Sequence, residues 1–204
     1  ESFASLGAVI EEPAVAPPRA AGRELDEALD VLAQRARALA AIVVDDRSPV
    51  IWGSSLVPHG PEDVDEAVWI AKVSAAVREL GEDLAALVAR EPDQLRASLA
   101  AAGDPVALAR DVERIRELGP RTVDRVHLLA IRAIASVRKT ESHRPEGMRE
   151  SQFPPPMDPE LSLLVRPFAT IYRLVLVFDG PFSELHAEAA LIHGLPAIER
   201  LVTS

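Results

Sequence analysis

The sequence predicts a mixed α/β fold of the α+β kind, an antiparallel sheet flanked by helices. Three observations predict it. Leu174–Phe178 is an uninterrupted apolar run, rich in Val and too short for an isolated helix. It ends at Asp179-Gly180-Pro181, a turn signal, and fits a strand buried on both faces. Ala41–Val44, Asp45–Pro49 and Val50–Ser54 read as strand, turn and strand, a β-hairpin with a loop of about five residues. Between these regions, apolar residues recur at steps of three and four, the period of helices. The strand signals lie about 120 residues apart, so the sheet closes over a long insertion.

Residues 1–22 are rich in Ala and Pro and read as an arm or linker, with Phe3, Leu6, Val9 and Ile10 apolar enough to dock. Residues 23–204 form the domain. The chain begins at Glu1 and not at Met, which leaves a preceding segment or a removed signal peptide open. Glu24–Ala40 is a helix whose apolar face is Leu25, Ala28, Leu29, Leu32, Ala36 and Leu39. Pro49 falls in the hairpin turn or at the first residue of the strand, where its missing N–H is tolerated. Asp63 and Glu66 make a capping box for a helix to about Leu80, with Val64, Ala67, Val68, Ala71, Ala75 and Val77 or Arg78 near one face. Gly81 bends or breaks that helix, and 83–90 continues helically.

Residues 91–139 carry no strand signal. Pro92, Gly103, Pro105, Gly119 and Pro120 divide this helical insertion into pieces at about 93–101, 105–118 and 122–138. Residues 140–160 are a Pro-rich loop with a possible short edge strand over Met148–Phe153. Leu161–Phe168 is a strand before Tyr172–Phe178, and Ala169–Ile171 is either the turn between them or the middle of one long bent strand. Ser183 caps a last helix, whose stripe is Leu185, Ala189, Ile192, Leu195, Ile198 and Val202.

Composition narrows the function. A net charge of −10 argues against a general binder of nucleic acid or anionic membrane. Arg132, Arg138, Lys139, His143 and Arg144 form a local basic cluster that reads as a solvated helix end. There is no cysteine, which excludes disulfides and thiolate metal sites and fits a cytoplasmic protein. No apolar run is long enough to span a bilayer.

The sequence has no glycine-rich phosphate loop, no G-x-S-x-G elbow and no H-E-x-x-H. Gly53-Ser54-Ser55 follows a strand without a helix directly behind it, and His59 is its only local base. His186 and His193 stand seven apart on the last helix, about 10 Å along its axis, too far to share one ion by themselves. Asp45, Asp46 and Asp179 read as turn residues. Trp52 and Trp69 are the largest side chains in an aromatic-poor chain, and Trp52 faces either the core, the plainer reading, or an interface. No catalytic residue, cofactor or metal ligand is assigned.

The element order, with AIVVDDRSPVIWGSS, YRLVLVFD and ELHAEAALIHGLPAIERLV, resembles the Roadblock (dynein light chain type) family. The resemblance covers about half the chain and implies a profilin-like sandwich, α-β-β-α-β-β-β-α, here with a helical insertion at about 91–139 and a weak third strand. It implies a non-enzymatic regulatory or scaffold module, bacterial and cytoplasmic, that binds a small Ras-like GTPase or a polarity or motility scaffold. A GTPase-activating role would then use the GTPase's own residues. It also implies a homodimer formed through the hairpin edge (Val50, Trp52, Ser54) and the small-residue face of the second helix (Val64, Val68, Ala71, Ala75). The alternative is a small-ligand sensory module of the PAS or GAF kind.

Overall fold

Burial along both central strands sets the layout. The computed structural model describes residues 19–45, 48, 50–56, 64–142 and 161–203. Its elements are α1 (Arg19–Ala36), β1 (Ala40–Asp45), β2 (Ile51–Ser54), α2 (Val64–Glu79), α3 (Leu84–Val88), α4 (Pro92–Ser98), α5 (Pro105–Leu118), a 3-10 helix (Pro120–Val123), α6 (Arg125–Ser142), β3 (Ser162–Phe168), β4 (Tyr172–Phe178) and α7 (Glu184–Thr203). The four strands make one antiparallel sheet in the order β2-β1-β4-β3. Ala40 lies opposite Val177 and Asp45 opposite Tyr172, so the two distant strand regions share one layer.

Alternation along the strands divides the core in two. Ala40, Ile42, Val44, Val175 and Val177 face α2 and α6, with α3, α4 and α5 packed beyond. Ala41, Val43, Tyr172, Leu174, Leu176 and Phe178 face α1 and α7. Leu174–Phe178 is buried throughout, as its unbroken apolar run predicts.

The register shifts between Val43 and Val44: Val43 lies opposite Gly53 and Val44 opposite Ile51, leaving Trp52 as the extra residue of a β-bulge. Trp52 therefore joins the α1/α7 side, edge-to-face with Tyr172 at a centroid distance of 5.3 Å. Gly53 permits α1 to lie close on β2. A Cβ there would stand 2.7 Å from Leu25 Cδ2 and 2.8 Å from Leu25 Cγ.

Several boundaries differ from those predicted, for local reasons. The first helix spans 19–36 and not 24–40, so it begins inside the predicted arm. It ends where Arg37 takes φ of 56° and the Ala38 N–H donates to the Ala33 carbonyl at 2.9 Å. That is a Schellman-type stop without the usual glycine. Leu39 consequently leaves the helix and packs on the opposite core. Gly81, at φ of 74°, stops α2, and the Asp83 carboxylate then caps a separate α3 by accepting from Ala86 N–H at 2.9 Å. The predicted helix over 122–138 begins only at Arg125, behind a 3-10 turn opened by Pro120, and runs to Ser142. Ala169–Ile171 is a turn and not a bent strand, with Ala169 at φ of 44° and Thr170 at 72°. The Asp63 half of the capping box and the possible strand over Met148–Phe153 lie outside the described residues.

The last helix differs most. Its buried side chains are Ala187, Ala190, Leu191, Ile198 and Val202. Leu185 and Ile192, assigned to the buried stripe by spacing, are 83% and 70% exposed. α7 carries two apolar stripes, and periodicity alone does not say which one meets the sheet.

Candidate functional site

The residues predicted to form an interface range from buried to exposed. Val64 and Ser54 are buried at 2% and 9% exposure. Trp52, Val68, Ala71 and Ala75 are half-buried, and Val50, at 38% exposure, is the most open of the set. Val68 and Ala71 pack on the α2/α6 core, and α6 lies alongside α2. Trp69, next on α2, carries the Arg114 guanidinium of α5 over its ring at 4.5 Å. The insertion thus occupies the neighbourhood of the helix face that the sequence offered for dimerisation. β2 remains an edge strand.

The hairpin hydroxyls hold the strands. Ser55 Oγ accepts from the Ala41 N–H at 2.9 Å, and Ser54 Oγ accepts from Leu56 N–H at 3.1 Å. Asp45 Oδ1 accepts from Ser48 N–H at 2.8 Å, the turn role its position predicts. Asp26 on α1 accepts from the Ser54 N–H at 2.9 Å and ties that helix to the edge strand. Burial pushes the Asp26 carboxyl up, and the Ser54 bond partly offsets this. Nothing in the sequence singled Asp26 out, because its partner is a backbone group 28 residues away. Burial also pushes the Tyr172 phenol up, with the Asp45 charge adding to it.

An open apolar stripe lies on the α1/α7 side of the sheet, apart from the exposed Val106 and Leu118 of α5. Leu185, Ala189, Ile192 and Pro196 follow at steps of four, three and four on α7, and all four are exposed. They span about 16 Å of helix. Glu188 on one flank pairs with Arg166 of β3, and exposed His186 and His193 stand nearby. Beside the stripe a groove of about 340 Å3 runs between α1 and α7, with Ala28, Val31 and Ala197 among its walls and Glu27, Arg35 and His193 at its rim. Val31 is 46% exposed. Gly194 brings the helices together there, since a Cβ would meet Leu32 Cδ1 at 3.0 Å.

Among the described residues no group of three or more His, Cys, Asp or Glu side chains is placed to hold a metal ion. None of the described helices is long and apolar enough to cross a membrane. Arg132 and Arg138 of the basic cluster are half-buried, whereas His143, Arg144, His59 and Asp46 lie outside the described residues. Comparison with protein-family models, with curated proteins and with solved structures gave no match.

Proposed function

We propose that this chain is a protein–protein interaction module of the Roadblock kind, carrying no chemistry of its own, that docks a small Ras-like GTPase or a scaffold bound to one. The observation that carries the reading is the exposed apolar stripe of α7, with Leu185 and Ile192 open on a helix whose opposite stripe is fully packed. A contiguous apolar surface held on a rigid helix is the usual anchor of a partner contact. The order of elements supports the family: α-β-β-α, the insertion, then β-β-α, with α1 and α7 on one sheet face and α2 on the other. Both faces of β1 and β4 are filled by helix side chains, so the sheet does not supply the concave pocket that a PAS- or GAF-type sensor needs.

The test is binding of Ras-like GTPases from the same genome, loaded with GDP or a non-hydrolysable GTP analogue, to the wild-type chain and to a Leu185→Ser/Ile192→Ser variant. The expected result is saturable binding to one GTPase, weakened at least about tenfold in the variant, which corresponds to ~1.4 kcal/mol. The variant should melt within a few degrees of wild type, since both residues are exposed. No binding to any such GTPase, or equal binding by the variant, rejects the reading. Light scattering tests the accompanying homodimer, for which edge strand β2 is the surface; a monomer at tens of micromolar rejects it.

A further inference from the structure

We propose that a cleft on the α2/α6 side of the molecule, bordered by Arg78, Arg125 and Arg132, binds a small phosphate-bearing molecule. The cleft has a volume of about 630 Å3, within the range that holds nucleotide-sized ligands. It opens where the end of α2, the start of α3, the first turns of α6 and the turn after β4 converge. Arg125 and Arg132 are seven apart on α6, which places them two turns along one face. Arg78 comes from the last turn of α2, four residues after Ser74, which also lines the cleft and is 5% exposed.

The charge of this cleft runs against that of the chain. The chain carries −10, yet the cleft is lined by these three arginines and by only two carboxylates, Asp83 and Asp179. Neither carboxylate is idle. Asp83 caps α3 through the Ala86 N–H. Asp179 accepts from Arg125 at 2.5 Å, in a pair whose side chains are 75% and 41% exposed. A pair so open to water adds little stability and exchanges readily for a ligand anion. Arg78 and Arg132 also hold contacts within the chain, and each guanidinium keeps five N–H donors to distribute.

Guanidinium forks match phosphate oxygens bidentately, and several of them converging favour a multiply charged group over a single carboxylate. The remaining wall includes Leu84, Val123, Leu128 and Leu129, which suit the apolar or aromatic body of an organic phosphate. A nucleic-acid strand is disfavoured, because a chain of net charge −10 repels a polyanion that extends beyond the cleft.

Calorimetric titration of the full chain at low ionic strength with pyrophosphate, and separately with ATP, tests the proposal. Saturable one-to-one binding is expected, with Kd below about 1 mM. Arg78→Gln and Arg132→Gln should each weaken it by about tenfold or more. Arg110→Gln, which removes the same charge from α5 away from this cleft, should leave it unchanged. Amide shift mapping on the wild-type chain gives a readout that does not depend on the variants folding. Shifts confined to 74–85, 123–132 and 179–180 support the site. Absence of saturation at 10 mM, equal weakening by Arg110→Gln, or shifts scattered over the surface overturns it.

Discussion

The two sides of the sheet share their strands but are covered differently. Toward α1 and α7 the cover is one layer of two helices, and their outer surface leaves Val31, Leu185 and Ile192 in water. Toward α2 and α6 the cover is two layers deep. Leu95, Leu99, Leu108, Val112 and Ile115 of α4, α5 and the turn between α4 and α5 extend the core outward. The thin side carries the exposed stripe of α7, while the thick side carries the Arg-lined cleft around Arg78 and two separate exposed apolar residues of α5, Val106 and Leu118. The helical insertion therefore does more than lengthen a loop. It adds a second layer over one side of a small sheet and leaves a single layer of helices over the other.

The strongest test of this contrast asks whether the two sides unfold together. Leu176→Ala on the thin side and Leu99→Ala in the outer layer each empty a fully buried position, and each should cost about 2–5 kcal/mol. Trp52 reports the thin side and Trp69 the thick one. In single-tryptophan variants the two signals should follow one denaturation transition, because β1 and β4 contribute to both cores. Separate transitions would divide the molecule into two cooperative units.

A smaller effect belongs to the contact of α1 with β2. Gly53→Ala should destabilise by about 1–3 kcal/mol, since the new methyl meets Leu25 at 2.7 Å, and chemical denaturation measures it. An unchanged midpoint would show that α1 can shift away from the strand without loss.

Asp26 gives the next test. Asp26→Ala leaves the Ser54 N–H without its acceptor and should cost about 1–2 kcal/mol. Asp26→Asn keeps an acceptor oxygen and removes the charge. The wild-type carboxyl is raised above its ordinary value of 3.8, so the folded state holds its proton more tightly than the unfolded state. Its contribution to stability therefore falls as pH rises from 3.8 through the folded value, and stays level above it. Asp26→Asn should remove that fall, and at neutral pH it should equal or exceed wild type. Thermal melts across the acid range measure this, and a parallel pH profile for the two proteins contradicts it.

The smallest effect is a gain. Thr170 is β-branched and sits at φ of 72° in the β3–β4 turn. Thr170→Gly should stabilise by about 0.5–1 kcal/mol, visible as a raised midpoint. A loss would mean that the threonine side chain supports the turn.

What could be read from the sequence follows from how local each signal is. The hairpin, the strand at Leu174–Phe178 and the helix at Pro105–Leu118 carry their own punctuation, and they appear where predicted. The end of α1 was hidden, because Arg37 makes a left-handed stop amid good helix formers. The open stripe of α7 was legible as apolar but not as exposed, since the choice between two stripes is made by α1 and the sheet. The arginine cleft was not legible at all. Arg78 and Arg125 are far apart in the sequence and meet only when α6 returns to α2.

The pairing of Ala40 with Val177 also sets a timetable for biosynthesis. At a ribosomal rate of roughly 5–20 residues per second, β1 waits about 7–27 s for the strand that will satisfy its inner edge. During that interval the apolar run Ala40–Val44 has only the short β2 as a strand neighbour. Nascent chains stalled before Tyr172 keep that edge open to one another and are expected to aggregate instead of yielding a smaller folded protein.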